Sequence, residues 1–273
     1  MNKTITALLL ALTLTAFCVA SVPNAKAAPE DIKVLSYSWY VSPSTGYNPG
    51  DLIVVGEVQN TGTNVVDYVT IQGVAYTADG QGQAAAYSVA YVDHMLPQQK
   101  APFYMDFMLE TSFTGNLSWV TETDHVRLTV VRANETQDQQ YTDLKIVSDT
   151  AYTDMNGVYS VMGLMQNTGT QPTGRVWVVA TFYDTSGKVV GAGYSNYLTP
   201  ASLGPNETSQ FTITMLDATT QRTAQISSYA LLFQTEQLIP EFPSTAILAL
   251  ALIAVTAIVA VYSRRMRRKN PTN

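Results

Sequence analysis

Between residues 28 and 239 apolar and polar positions alternate. Phe211-Thr212-Ile213-Thr214-Met215 sets apolar against hydroxyl residues one by one, Val126-Arg127-Leu128-Thr129-Val130 does the same, and Val176, Val178, Ala180 and Phe182 mark one face of a third run. A period of two is the pattern of a strand with one buried and one wet face. Helical spacing over a useful length appears nowhere in this region. Turn-forming residues punctuate the runs: Asn48-Pro49-Gly50, Asn60-Thr61-Gly62, Ala78-Asp79-Gly80 and Pro97-Gln98-Gln99, then Met155-Asn156-Gly157, Asn167-Thr168-Gly169, Ser186-Gly187 and Gly204-Pro205-Asn206. Short strands with turns at this spacing predict an all-β architecture of the β-sandwich type.

The turns form two series because the chain repeats itself. Gly56-Glu57-Val58-Gln59-Asn60-Thr61-Gly62-Thr63 returns 107 residues later as Gly163-Leu164-Met165-Gln166-Asn167-Thr168-Gly169-Thr170. At the same offset Val69 matches Val176, Ile71 matches Val178, Tyr76 matches Tyr183, Gly80 matches Gly187, Tyr87 matches Tyr194 and Leu96 matches Leu203. One inserted residue later, Phe103, Met105 and Phe107 meet Phe211, Ile213 and Met215. Two tandem β-sandwiches follow, at 29–137 and 138–238.

The two ends are of a different kind. Lys3, the apolar run Ile5 to Ala20 and the small residues of Ala25-Lys26-Ala27 read as a signal peptide over 1–27, cleaved before Ala28. At the other end, 239–244 is a stem containing Pro240, Glu241, Phe242, Pro243 and Ser244. Thr245 to Tyr262 then carries no charge for eighteen residues. As a helix that stretch measures about 27 Å, close to the hydrocarbon thickness of a bilayer. Arg264, Arg265, Arg267, Arg268 and Lys269 follow within a tail at 263–273, and such a cluster stops translocation and stays on the cytoplasmic side. The expectation is a single-pass protein of the cell membrane with its N-terminal domains extracellular.

Composition narrows the chemistry. The one cysteine, Cys18, lies in the signal's apolar core, so no disulfide staples the region that follows and its stability rests on burial. Residues 28–241 hold all 21 acids against eight bases, a net charge of −13. Such a surface is soluble and is a poor partner for nucleic acid.

A strand ending in Gly-x-Val/Met-x-Asn-Thr-Gly, followed by a long strand that closes on aromatic-Tyr-Asp before a glycine turn, resembles the FxLYD domain, an Ig-like module of prokaryotic exported proteins. The second repeat carries the pattern in Val179-Ala180-Thr181-Phe182-Tyr183-Asp184-Thr185-Ser186-Gly187-Lys188-Val189-Val190. The first keeps Tyr76 but has Thr77 in place of the Asp. The CARDB adhesion-type module is similar at the Asn-Thr-Gly turn. The resemblance implies Ig-like sandwiches in envelope or adhesion roles and brings no catalytic residues. The Pro240-Glu241-Phe242 motif with its apolar stretch and basic cluster resembles the sorting tails of archaeal surface proteins, where a membrane transpeptidase cuts at the motif in some systems. A permanent anchor is the expectation preferred here.

Candidate chemistry is sparse. His94 and His125 are the only histidines, each preceded by an aspartate, and two isolated His-Asp neighbours do not make a metal site or a triad. Asp149, Asp154, Asn156 and Gly157 lack the alternating ligands and closing acid of a calcium loop. Gly80-Gln81-Gly82-Gln83-Ala84-Ala85 fits a dinucleotide fingerprint but leads into a strand. Asn60-Thr61-Gly62 and Asn167-Thr168-Gly169 read as structural turns. Asn116, Asn134 and Asn206 head glycosylation sequons near predicted loops. Tyr37, Tyr40, Tyr47, Tyr87, Tyr91, Tyr104, Tyr194 and Tyr197 suit cross-strand packing, or a contact surface for protein or carbohydrate. The sequence therefore predicts a non-enzymatic surface module without cofactor or metal, whose partners are the membrane and an extracellular protein or glycan. The alternative is a membrane-tethered accessory subunit of a transporter or other envelope complex.

Overall fold

A computed structural model describes residues 29–43, 50–108, 118–196, 198–236, 238–239 and 252–256. A 3-10 turn at Pro29–Asp31 leads into the strands β1 (Ile32–Val41), β2 (Leu52–Asn60), β3 (Val65–Tyr76), β4 (Gly82–Val89), β5 (His94–Met95), β6 (Lys100–Phe107), β7 (His125–Thr136) and β8 (Gln139–Gln140). They continue as β9 (Leu144–Thr153), β10 (Tyr159–Asn167), β11 (Val176–Tyr183), β12 (Val189–Ser195), β13 (Thr208–Met215), β14 (Ser228–Thr235) and β15 (Leu238–Ile239). Two single-turn helices, α1 (Trp119–Glu122) and α2 (Thr220–Thr223), precede β7 and β14. The body is all-β, and its ladders between strands are antiparallel.

In the first repeat β1-β2-β6 form one sheet, and β3 forms a second by pairing with β4 and β5 along one edge and β7 along the other. Their facing sides share a core: Leu52, Val54 and Val58 of β2 and Phe103, Met105 and Phe107 of β6 meet Val69, Ile71 and Ala75 of β3. The second repeat uses the same strand order in one continuous sheet, β14-β11-β12-β13-β10-β9. It is continuous because β12 and β13 pair through Gly193↔Met215, Tyr194↔Thr214 and Ser195↔Ile213. The corresponding β4 and β6 are joined by single bonds, such as Ser88 Oγ to the Tyr104 carbonyl at 2.6 Å and Tyr91 N–H to the Pro102 carbonyl at 2.9 Å. The second core contains Val161, Met165, Val176, Val178, Ala180, Phe182, Phe211, Ile213 and Met215. The alternating positions of β11 and β13 in the sequence are therefore its lining.

One close approach explains a shared glycine. A Cβ on Gly56 would fall 2.4 Å from Phe103 Cζ, and one on Gly163 would fall 2.4 Å from Phe211 Cζ. The tip of each phenyl ring lies against the neighbouring backbone, a space that a Cβ would fill. The equivalences also relocate the inserted residue. Ala90 donates to the Val69 carbonyl as Leu198 donates to the Val176 carbonyl, so the insertion lies between Tyr194 and Leu198. Met95, and not Leu96, is the counterpart of Leu203, because each gives its carbonyl to the motif asparagine.

The repeats are packed against each other. Every residue of β2 from Leu52 to Val58 is buried, whereas in β10 the matching Met162 is 42% exposed. The difference arises because the outer face of β1-β2-β6 is covered by β11 and β12. Ile53, Val55 and Val189 are buried together there, with Tyr40, Tyr104 and Tyr183 around them. Val179 is 1% exposed for the same reason, although it points away from its own core.

Residues 252–256 are helical and exposed, with Thr256 Oγ1 bonded to the carbonyls of Leu252 and Ile253 at 2.9 Å. Among the described residues no helix is long and apolar enough to cross a membrane. The rest of the span expected at 245–262, the signal region 1–27, the motif Pro240–Ser244 and the basic tail with Arg264, Arg265, Arg267, Arg268 and Lys269 lie outside the described residues.

Candidate functional site

The two Asn-Thr-Gly motifs end β2 and β10. Asn60 is fully buried. Its Nδ2 donates to the Asn64 carbonyl at 2.8 Å and the Met95 carbonyl at 3.0 Å, and its Oδ1 accepts from Gly62 N–H at 3.0 Å. Asn167 is also fully buried, donating to Gln171 and Leu203 carbonyls at 2.7 and 3.0 Å and accepting from Gly169 N–H at 2.9 Å. Both Nδ2 groups spend their two protons on backbone carbonyls, so neither amide has a donor left for a ligand.

Polar chemistry instead gathers where the repeats meet. Glu57, 3% exposed, accepts a hydrogen bond from Tyr183 Oη and lies 3.6 Å from Lys100 Nζ. Val189 is held on both sides: its carbonyl accepts from Ser38 Oγ at 2.7 Å and its N–H donates to Ser36 Oγ at 3.1 Å. Farther along, Arg222 stacks on Tyr40, 3.5 Å from the ring centroid, and donates to the carbonyls of Leu216, Asp217 and Val190. Asp217 accepts from both Tyr40 and Tyr104 hydroxyls. Burial raises both phenols above their ordinary range, so they remain donors. Asp106 beside them is pushed up to about 6, by burial first and then by repulsion from Asp51 and Asp217. On the other flank Gln234 Oε1 accepts from Asp93 N–H at 2.7 Å, and Tyr91 meets Tyr194 edge-on at 5.4 Å.

Two concavities adjoin this seam. One, of about 510 Å³, is lined by Trp177, Tyr194, Ser195 and Asn196. The other, of about 660 Å³, runs between the edges of β1 and β7 and is lined by Val34, Leu35, Ser36, Tyr37, His125, Val126, Arg127, Leu128 and Lys188. The sequence offered no route to Glu57, Tyr183, Lys188, Arg127, Arg222 or Asp217 as a set, because each repeat supplies only part of it.

The remaining candidates separate. His125 Nδ1 pairs with Asp124 at 3.0 Å and its ring stacks on Tyr76 at 5.3 Å, while His94 lies half-buried in β5. Among the described residues no three metal-ligating side chains are grouped to hold an ion. Asp154 Oδ1 accepts from Asn156 and Val158 N–H, closing a turn, and Asp149 accepts from Tyr229. Gly80 has φ +84° at a hairpin tip leading into β4. Asn206 is exposed in a turn, Asn134 lies inside β7 opposite Asp67, and Asn116, Tyr47 and Tyr197 are outside the described residues.

No family model and no curated protein matches the chain. Among solved structures it is similar to a red sea bream transglutaminase (9% identity, 75% of this chain and 30% of that one, TM-score 0.23). It is also similar to a β-glucuronidase of glycoside hydrolase family 2 (11%, 80% and 26%, TM-score 0.25) and to the Amycolatopsis orientalis exo-chitosanase CsxA (14%, 74% and 26%, TM-score 0.25). The chain spans 26–30% of the length of these enzymes, and likeness of this degree carries no argument about activity.

Proposed function

We propose that the chain is a single-pass membrane protein that displays two Ig-like β-sandwiches on the cell surface for binding, adhesion or envelope structure. The observation that carries the reading is the order of parts: an exported-type N-terminus, an all-β body of two repeats, a proline-containing stem, eighteen uncharged residues and five cations. The body supports a binding role in its economy of chemistry. Its buried polar groups are spent on holding loops and joining the repeats, and its acidic surface suits display in solvent. The intact tail is taken as a permanent anchor. Protease added to whole cells should digest 28–239 and spare Arg264–Lys269, and protection of the body in intact cells would overturn the reading. Mass spectrometry should find a native peptide spanning Phe242 to Arg264, whereas a lipid-bearing C-terminus within Pro240–Ser244 would replace anchoring by processing.

A further inference from the structure

The groove between β1 and β7 is chemically unlike the rest of the body. Although residues 28–241 hold 21 acids and eight bases, its nine lining residues include Arg127, Lys188 and His125 and no acid. Arg127 is exposed, rests over the Tyr76 ring at 5.5 Å from the centroid, and its guanidinium has no hydrogen-bond or ion-pair partner among the described residues. Stacking fixes a guanidinium by its face and leaves its N–H edges open for a planar or tetrahedral anion. Lys188 comes from the second repeat, and its turn is anchored by Asp184 Oδ1 accepting its N–H at 2.9 Å. Leu35, 41% exposed, and the half-buried Val34 and Leu128 give the groove an apolar floor. Two acids lie nearby: Asp124 is engaged with His125 Nδ1, and Asp184, whose Oδ1 accepts from Ser186 and from the Lys188 N–H, also feels the Lys188 charge.

We propose that this groove binds an acidic saccharide, with Arg127 and Lys188 taking its anionic group and the apolar floor carrying the sugar ring. An added peptide strand is the poorer occupant. The register of β1 is broken between Val34 and Ser36, and the Val126 carbonyl already accepts from Tyr37 Oη at 2.8 Å, so no continuous edge ladder is offered. The inference rests on the surface-display reading for where such a ligand is met.

The test uses the purified full-length chain in detergent. Titration calorimetry is run with oligogalacturonate as the carboxylate probe, a heparin oligosaccharide as the sulfate probe, and dextran oligosaccharide and polyglutamate as controls. Binding to one or both acidic saccharides is expected, identifying the anion, and should fall by about tenfold or more in R127E/K188E. K145E, a single charge reversal on exposed β9, should leave it unchanged, and thermal melts should show all variants folded. Absence of binding to either acidic saccharide, equal binding by R127E/K188E, or equally tight binding of polyglutamate would each overturn the proposal. Because the measurement is made outside the cell, such a failure leaves the topology experiment standing, and failure of the topology experiment leaves the titration intact.

Discussion

Asn60 and Asn167 occupy corresponding strand ends and perform the same task with the same three hydrogen bonds. In each, Nδ2 bridges a carbonyl four residues ahead to a carbonyl that precedes the next long strand, Met95 in β5 or Leu203, and Oδ1 takes the N–H two residues on. Both sit at zero exposure, where an unmet donor or acceptor cannot turn to water.

Replacing either asparagine by alanine should therefore lower stability by about 2–3 kcal/mol, more than one exposed turn bond is worth. Asn167→Ala should cost the more, since Tyr141 Oη also donates to its Oδ1 at 2.8 Å. Urea unfolding of the two variants checks the order. Equal losses below about 0.5 kcal/mol would show that the loops re-pair without the amide.

The Tyr183–Glu57 contact joins the repeats and can be tested by itself. Tyr183→Phe leaves a carboxylate at 3% exposure with only Lys100, 3.6 Å away, and should cost about 1.5–3 kcal/mol. Glu57→Gln should recover part of that loss in the Tyr183→Phe background, because a neutral amide is cheaper to leave half-paired. The coupling in a double-mutant cycle checks it, and additive losses would mean that the two groups do not act together.

Much of this body was legible in the chain. Alternation at Val176–Phe182 and Phe211–Met215 marked strands whose inward residues are the core, and the Asn-Thr-Gly motif marked the turns that the asparagines close. Likeness of side chain pairs Leu96 with Leu203 and puts the inserted residue too late in the chain, whereas backbone bonding pairs Leu203 with Met95. The interface lay in the differences between the copies and not in their likeness. Trp177 and Val179 of the covered face stand where the open face has Thr70 and Gln72, and Val55, buried, stands where Met162 is exposed. A groove assembled from β1, β7 and a lysine of the other repeat has no signature in a linear pattern, since its parts are far apart in the chain.

The pH response near neutrality should report Asp106. Its folded carboxyl titrates at about 6 against an ordinary 3.8, so the folded state binds this proton more tightly than the unfolded one. The stability it adds is complete below the unfolded value and is lost as pH rises through about 6. Asp106→Asn should thus raise Tm at pH 7.5 and leave it unchanged at pH 4. The gain should stay within about 2 °C, because the group is substantially exposed and screened. A lower Tm at pH 7.5 would show that the ionised Asp106 is a favourable partner in the Asp217 cluster.

Glycosylation should discriminate between two of the three sequons. Asn206 sits at φ +63° in an exposed turn, and only its backbone is used, the N–H donating to the Asn167 carbonyl at 2.9 Å. Asn134 is half-buried within β7, its backbone register fixed opposite Asp67 of β3, and a glycan there would have to grow from the face of a formed ladder. A bulky hydrophilic chain costs least where the side chain already points into solvent and bonds nothing. Peptides from the native protein should therefore carry the sugar at Asn206 and leave Asn134 unmodified. Thr208→Ala is the cleaner ablation than changing Asn206. Thr208 is exposed at the start of β13, so the sequon is lost while the left-handed residue stays in place. The variant should lose the glycan mass with Tm shifted by less than about 2 °C. Sugar found on Asn134 with Asn206 bare would mean that transfer precedes folding and ignores the turn.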